Sequence, residues 1–280
     1  MTIHAAPRHR RRPARRDPRP PVAIMVIAVV AVLFFALPFL GLLWRAPWGS
    51  AWDLLTDADS LTALRLSIEC SLLAAACCVV LGVPLAWVLA RISFPGRRIV
   101  RALCLLSLVL PPVVAGVALF SAFGRRGMLG APLADWFGIH LPYSTAGVVL
   151  AQTFVAMPFL VLTVEAAMRS LDHGPEEAAR TLGAGSWTIF RRVTLPAIRP
   201  ALLAGLVLAW ARALGEFGAT ITFAGNLPGT TQTAPLAVYR ALESNPDQAL
   251  ILSILLIAIS FAVLLGLRDR WLAPPAEARS

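Results

Sequence analysis

Apolar residues in this chain gather into long unbroken runs, not into strand-like alternation or a single helical stripe. A run of about 20 such residues crosses ~30 Å of hydrocarbon as a helix, which satisfies its own backbone hydrogen bonds. Six runs are legible, at about 21–44, 61–91, 99–123, 144–169, 199–223 and 248–267. Ahead of them lies MTIHAAPRHRRRPARRDPRP, residues 1–20, rich in arginine and proline and expected to be disordered. A cleaved signal peptide is the rival reading of that start. The following apolar run is too long for one, and no A-x-A-like site follows it. The pattern therefore predicts an all-α membrane protein with six transmembrane helices over 21–270 and a short tail at 271–280.

Several runs carry prolines: Pro84 in the second, Pro111-Pro112 in the third and Pro158 in the fourth. Each removes a backbone donor and is expected to bend or interrupt its helix. Outside the runs, the segment 224–247 is expected to hold a short helix, PLAVYRALES, started by Pro235 behind Thr233. The residues leave open whether it contacts a partner or only connects two spans.

The longest polar connection, SLDHGPEEAARTLGAGSWTIFRRVTLPAIRP at 170–200, is patterned. Gly174 is read as an N-cap with Pro175 at the first helical position, and Glu176 and Glu177 complement the helix dipole. Gly183 ends that helix. Ser186 is read as the cap of a second short turn, WTIFRRV, that stops before Pro196. Small residues (Ala178, Ala179, Gly183, Ala184, Gly185) allow another surface to come close. On residues alone, a docking surface and an ordinary interfacial helix both stand.

Charge orients the spans. The net charge is +10, and all 25 basic residues are arginine. With the N-terminus inside, most arginines fall in inside segments. The outside loops hold only Arg45, Arg125, Arg126 and Arg240, while Arg65 and Arg212 lie within spans. That asymmetry supports an N-in, C-in topology with the 170–200 segment on the cytoplasmic side. Because the arginines sit beside apolar spans and not on a soluble face, the basic excess does not point to nucleic acid. The absence of lysine excludes a Walker A nucleotide site, so any ATP must be bound by another chain. Cys70, Cys77, Cys78 and Cys104 fall inside apolar runs, and the four histidines are scattered. Neither a metal site nor a disulfide framework is expected, and no cofactor is implied.

Arg212 and Glu216, in ARALGEFGAT, are two ionisable residues within the fifth run. On a helix starting near 199, Arg212 lies ~20 Å along it, and the i, i+4 spacing lets the two pair. Such residues are functional candidates that should face a bundle interior or an aqueous path. Gly215 and Gly218 are expected to admit a close neighbouring helix.

Two stretches resemble a known family. EEAARTLGAGSWTIFRRVTLP looks like the EAA loop of ABC-transporter permeases of the type I importer fold. Glu177-Ala178-Ala179, then Gly183, then Val193, Leu195 and Pro196 match its spacing, and Val193 in place of isoleucine is the departure. The resemblance implies that this loop forms coupling helices seated in a groove of an ABC ATPase subunit. ARALGEFGATITFAGNLPGTTQTAPLAVY, at 211–239, is similar to the molybdate permease branch. The combined resemblance covers about 55–268. It implies a non-catalytic subunit in a prokaryotic cell membrane, paired with a second permease copy and served by an extracytoplasmic molybdate-binding protein. A sulfate, thiosulfate or tungstate permease is the alternative within the family. A secondary transporter or an intramembrane enzyme is the rival outside it, although no histidine falls within a span to serve as a base. Molybdate is a dianion, so a bare Glu216 would repel it. Arg212, the hydroxyls of Thr220 and Thr222 and backbone N–H groups are the better oxyanion-facing donors, with Arg212, Gly215, Glu216 and Gly218 as gate candidates.

Overall fold

The computed structural model describes residues 21–271. The expected disordered tail at 1–20 lies outside the described residues, as does the C-terminal tail apart from Trp271. The chain divides into two compact units between Arg45 and Ala46. What is described of the first is one apolar helix, α1 (Val22–Arg45).

Among the described residues of the second unit the regular secondary structure is all helical, joined by short turns and loops. In chain order it comprises α2 (Ala51–Thr56), α3 (Ala58–Arg91), α4 (Arg97–Val109), α5 (Pro112–Phe123), α6 (Gly130–Phe137), α7 (Thr145–Ser170), α8 (Gly174–Thr181), α9 (Ser186–Ile189), α10 (Leu195–Leu214), α11 (Gly218–Phe223), α12 (Ala234–Ser244) and α13 (Pro246–Trp271). A π turn, Phe190–Thr194, joins α9 to α10. Five helical stretches among the described residues are long and apolar enough to cross a membrane: α1, α3, α7, the continuous Ser186–Leu214 stretch and α13. At 34 residues, α3 is about 51 Å long and exceeds the hydrocarbon thickness by some 20 Å.

The prolines act differently from one another. Pro84 and Pro158 sit inside unbroken helices, so neither interrupts its span. Pro111-Pro112 breaks the third run outright. Leu110 and Pro111 turn extended, at ψ 133° and 134°, because a residue before proline is pushed out of the helical region. The run expected as one helix over 99–123 is therefore two. The fifth run also divides, at Gly215–Phe217. Pro196, by contrast, stops nothing. The short turn expected to end before it runs on through the π turn, where the Leu195 N–H donates to Phe190 O, one residue further back than in an α-helix. Pro196 then occupies the first turn of α10, where its missing donor is tolerated.

The core is an α3–α7–α10 layer. Cys78, Ala86, Leu89, Leu160, Val161, Val164, Met168, Ile198 and Ala209 are buried together there. Two glycines permit the approach. A Cβ on Gly205 would lie 3.2 Å from Leu160 Cα, and one on Gly82 would lie 3.2 Å from Leu160 Cδ2. A second cluster joins α5, α7 and α11 through Ala115, Leu119, Ala151, Val155, Ala219 and Phe223. The cysteines at 70, 78 and 104 are buried as small apolar residues. The short helix expected near Pro235 is present as α12, with Thr233 at its N-cap.

Candidate functional site

The 170–200 segment forms a helix, a sharp turn and a second helix. α8 begins at Gly174 with His173 as its N-cap, so the expected cap is shifted by one residue. The shift has a local cause: Asp172 Oδ1 accepts the Gly174 N–H at 3.1 Å and closes the turn ahead of the helix. At the far end the Ala184 N–H bonds Ala179 O at 3.0 Å, and the Gly183 N–H bonds Arg180 O at 2.9 Å. With Gly183 at φ +80° this is a Schellman cap, the conformation for which glycine is suited. Gly185, not Ser186, is the N-cap of α9.

The family-motif residues divide between surface and interior. Glu177, Ala178, Gly183 and Pro196 are exposed, Ala179, Val193 and Leu195 are half-buried, and Leu195 packs against the α3–α7–α10 core. Two further residues shape the exposed face. Leu182 is 87% exposed, and Trp187, stacked on Phe190 at 5.6 Å, is 70% exposed. Sequence reasoning singled out the small residues and missed these two. The available signal was a leucine and a tryptophan flanking the small residues 183–185.

Beneath that face lies a buried charge. Glu176 is 6% exposed, and its Oε1 accepts from Arg91 Nη2 at 2.8 Å and from Thr194 Oγ1 at 2.7 Å. Successive residues on a helix point about 100° apart, so only one of the two adjacent glutamates can face the bundle. The motif spacing singled out Glu177, but nothing in the sequence said that Glu176 is the buried one of the two. A second cluster stands close by in the fold: Glu165, 4% exposed on α7, pairs with Arg101 of α4 and, at 2.9 Å, with Arg169. Arg169 Nη2 also reaches the Leu89 carbonyl at 3.3 Å, near the end of α3.

Arg212 and Glu216 do pair, with Nη1 2.5 Å from Oε2. They are not on one helix, however. α10 ends at Leu214 and Gly215 is its C-cap, so Glu216 stands in the break before α11. Its second oxygen, Oε1, accepts the Ala219 N–H at 2.7 Å. The carboxylate thus ties the end of α10 to the start of α11 and satisfies a donor that the broken ladder leaves free. Glu216 is 1% exposed, whereas the Arg212 side chain keeps 29%.

The two glycines beside the pair have different roles. A Cβ on Gly218 would sit 2.6 Å from Pro112 Cβ, so Gly218 is where α11 meets the α4–α5 break. Gly215 would meet nothing nearer than Ala211 O at 3.7 Å, so it terminates a helix and admits no neighbour. The two broken runs lie against each other, since a Cβ on Gly116 of α5 would lie 2.6 Å from Thr222 Cβ. Thr222 Oγ1 donates to Gly218 O at 2.8 Å within its own helix. Thr220 is fully buried, and its hydroxyl has no hydrogen-bond partner.

The stretch after α11 folds inward. Thr231, Gln232 and Thr233 are buried, with Thr231 Oγ1 accepting the Leu227 N–H at 2.9 Å and Gln232 Nε2 donating to Asn226 at 3.0 Å. Ser67 of α3 accepts the Ala234 N–H at 2.6 Å. These contacts pin the loop to α3, and Tyr239 of α12 lies against Phe217 at 5.2 Å.

Comparison with known proteins places these features. Residues 82–274 match the model of the family described as binding-protein-dependent transport system inner membrane component. The chain is 47% identical over 243 residues to the molybdenum transport system permease protein ModB of Mycobacterium tuberculosis, covering 87% of this chain and 92% of that one. It is 38% identical over 213 residues to the sulfate transport system permease protein CysT of Salmonella typhimurium, covering 75% and 76%. Among solved structures, a chain of a bacterial ABC transporter that imports the acidic polysaccharide alginate has the same fold, with a TM-score of 0.72 at 18% identity over 89% of this chain and 93% of that one.

Proposed function

The chain belongs to the family of inner membrane components of binding-protein-dependent transport systems, and from that premise we propose that it is the membrane-spanning subunit of an ATP-driven importer of molybdate. The observation that carries the substrate is the 47% identity to a molybdenum permease along 87% of the chain. The stretch 211–239, which holds the Arg212–Glu216 break and the inward-folded loop, lies within the residues matched by the family model.

In this reading α4 and α5 together make one crossing, which gives six with both ends in the cytoplasm. α8 and α9 are the coupling helices. The exposed Glu177, Ala178, Leu182, Gly183 and Trp187 form the face that enters a groove of the ATPase subunit. Two copies enclose one path, and an external binding protein delivers the oxyanion. ATP binding draws the ATPases together and moves the coupling helices, which turns the path outward, and hydrolysis resets it. Catalysis resides on the ATPase chain; this chain contributes alternating access between two conformations.

The broken helices suit a gate. Non-helical backbone at membrane depth is tolerated only where it is packed in protein or lines an aqueous cavity. Here two breaks, at Leu110–Pro111 and at Gly215–Phe217, are brought together through Gly218 and Pro112. Arg212, whose side chain keeps 29% of its surface exposed and pairs with Glu216, is the cation placed to meet a passing oxyanion. Glu216 itself is spent on Arg212 and Ala219.

A second reading, a sulfate or thiosulfate permease, is favoured by the Salmonella relative at lower identity and coverage. ATP-driven uptake into vesicles, with molybdate, tungstate and sulfate in competition, decides between them. Molybdate should displace sulfate, and the reverse order would overturn the substrate assignment.

A further inference from the structure

We propose that Glu176 is the positioning residue through which movement of α8 passes into the bundle. The proposal rests on the reading of α8 and α9 as the segment that docks on the ATPase.

α8 has little hold on the rest of the protein. It is eight residues long, and Glu176 is its buried residue. A helix that short is not stable alone, and this one offers no apolar stripe to anchor it. Its anchor is instead a carboxylate at which three elements meet. Arg91, the last residue of α3, donates to Oε1 at 2.8 Å, and its Nη1 lies 2.7 Å from Nδ1 of His173, the cap of α8. Thr194, 2% exposed, donates to the same oxygen at 2.7 Å and is the final residue of the π turn before α10.

A charge favouring the helix dipole needs no burial, and exposed Glu177 in the same turn already supplies one. Burying Glu176 costs solvation that the dipole does not require. What burial provides is direction. Charge-assisted hydrogen bonds hold a set geometry and resist both pull and push, whereas an apolar contact can slide. Each partner sits at the end of a rod: α3 runs 34 residues from Arg91, and α10 runs 20 residues to the Arg212–Glu216 break. The α3 end is also held to α7 by Arg169 on the Leu89 carbonyl. A displacement of α8 therefore reaches α3 against a fixed point and reaches α10 at the π turn, where the backbone register already changes.

The test uses the complete complex, with its ATPase and binding protein, reconstituted in vesicles with molybdate. Uptake and ATP hydrolysis are read in the same sample. Glu176→Gln keeps the ATPase co-purifying and hydrolysing but lowers molybdate imported per ATP at least about fivefold, the lower end of typical coupling between sites. Thr194→Val lowers the ratio in the same direction. An unchanged ratio in both variants overturns the proposal. So does loss of ATPase binding with the ratio unchanged, since Glu176 would then only shape the docking face. If Glu176→Gln fails to reach the membrane, Thr194→Val decides by the same ratio. A wild-type complex that hydrolyses ATP but imports no molybdate refutes the assigned function, not the latch. The latch is then read from the stimulation of hydrolysis by the binding protein, which both variants should reduce and which must be unchanged in them to overturn it.

Discussion

The Arg212–Glu216 pair should behave as a unit, with unequal costs for losing either member. Arg212→Ala leaves Glu216, 1% exposed, with only the Ala219 N–H for its charge. An uncompensated buried charge of that kind costs about 3–5 kcal/mol. Glu216→Ala leaves two different orphans. The Ala219 N–H loses its acceptor, worth about 1–3 kcal/mol when buried. Arg212 loses its partner, but its side chain keeps 29% of its surface and is less desolvated than Glu216, so this second cost is the smaller one. The arginine variant should therefore be the less stable of the two. The double variant should be more stable than the sum of the singles predicts, by about 0.5–3 kcal/mol, the range for groups in one network. Denaturation by dodecyl sulfate in mixed micelles, followed through the fluorescence of the eight tryptophans, measures all four corners of the cycle. Additivity within about 0.5 kcal/mol would refute the coupling. Glu216→Ala as the more damaging single change would refute the assignment of the buried charge to the glutamate.

Three further outcomes are expected. Gly218→Ala places a Cβ 2.6 Å from Pro112 and should cost about 1–3 kcal/mol by overpacking, whereas Gly215→Ala should cost well under that; equal losses would mean the α5–α11 contact is not tight. Leu182 is 87% exposed, so Leu182→Asp should leave stability within about 0.5 kcal/mol while ATPase co-purification falls; intact association would remove Leu182 from the docking face. Glu165→Ala should cost about 1–3 kcal/mol, less than the roughly 3–5 kcal/mol for breaking a fully buried pair, because Arg101 and Arg169 keep 30% and 43% of their side-chain surface; a larger loss in thermal stability would mean both guanidiniums depend on it entirely.

Run length and composition alone gave the class, since runs of some 20 apolar residues leave a chain few structures outside a bilayer. The glycine at 183 likewise declared its place, because a left-handed helix end selects that residue. Prolines were less legible. Pro84 and Pro158 ride inside helices, while Pro111-Pro112 breaks one, because two successive prolines turn the chain extended and a packed neighbour, Gly218, occupies the gap.

The spacing of Arg212 and Glu216 announced a pair, and tertiary structure decided what it joins. With α10 ending at Leu214, the carboxylate spans a break instead of lying along a face. The reason is that helix continuity depends on neighbours as well as on propensity: Gly215 ends the ladder, and Pro112 lies where α11 must start. The largest gap was Glu176. It is adjacent to Glu177 and chemically identical to it, and only the packing of α8 against α3 and the π turn sends one carboxylate inward to Arg91 and Thr194 and leaves the other in solvent. A sequence records which charges a chain carries. Which of them is desolvated, and against what, is settled by elements 18 and 85 residues away along the chain.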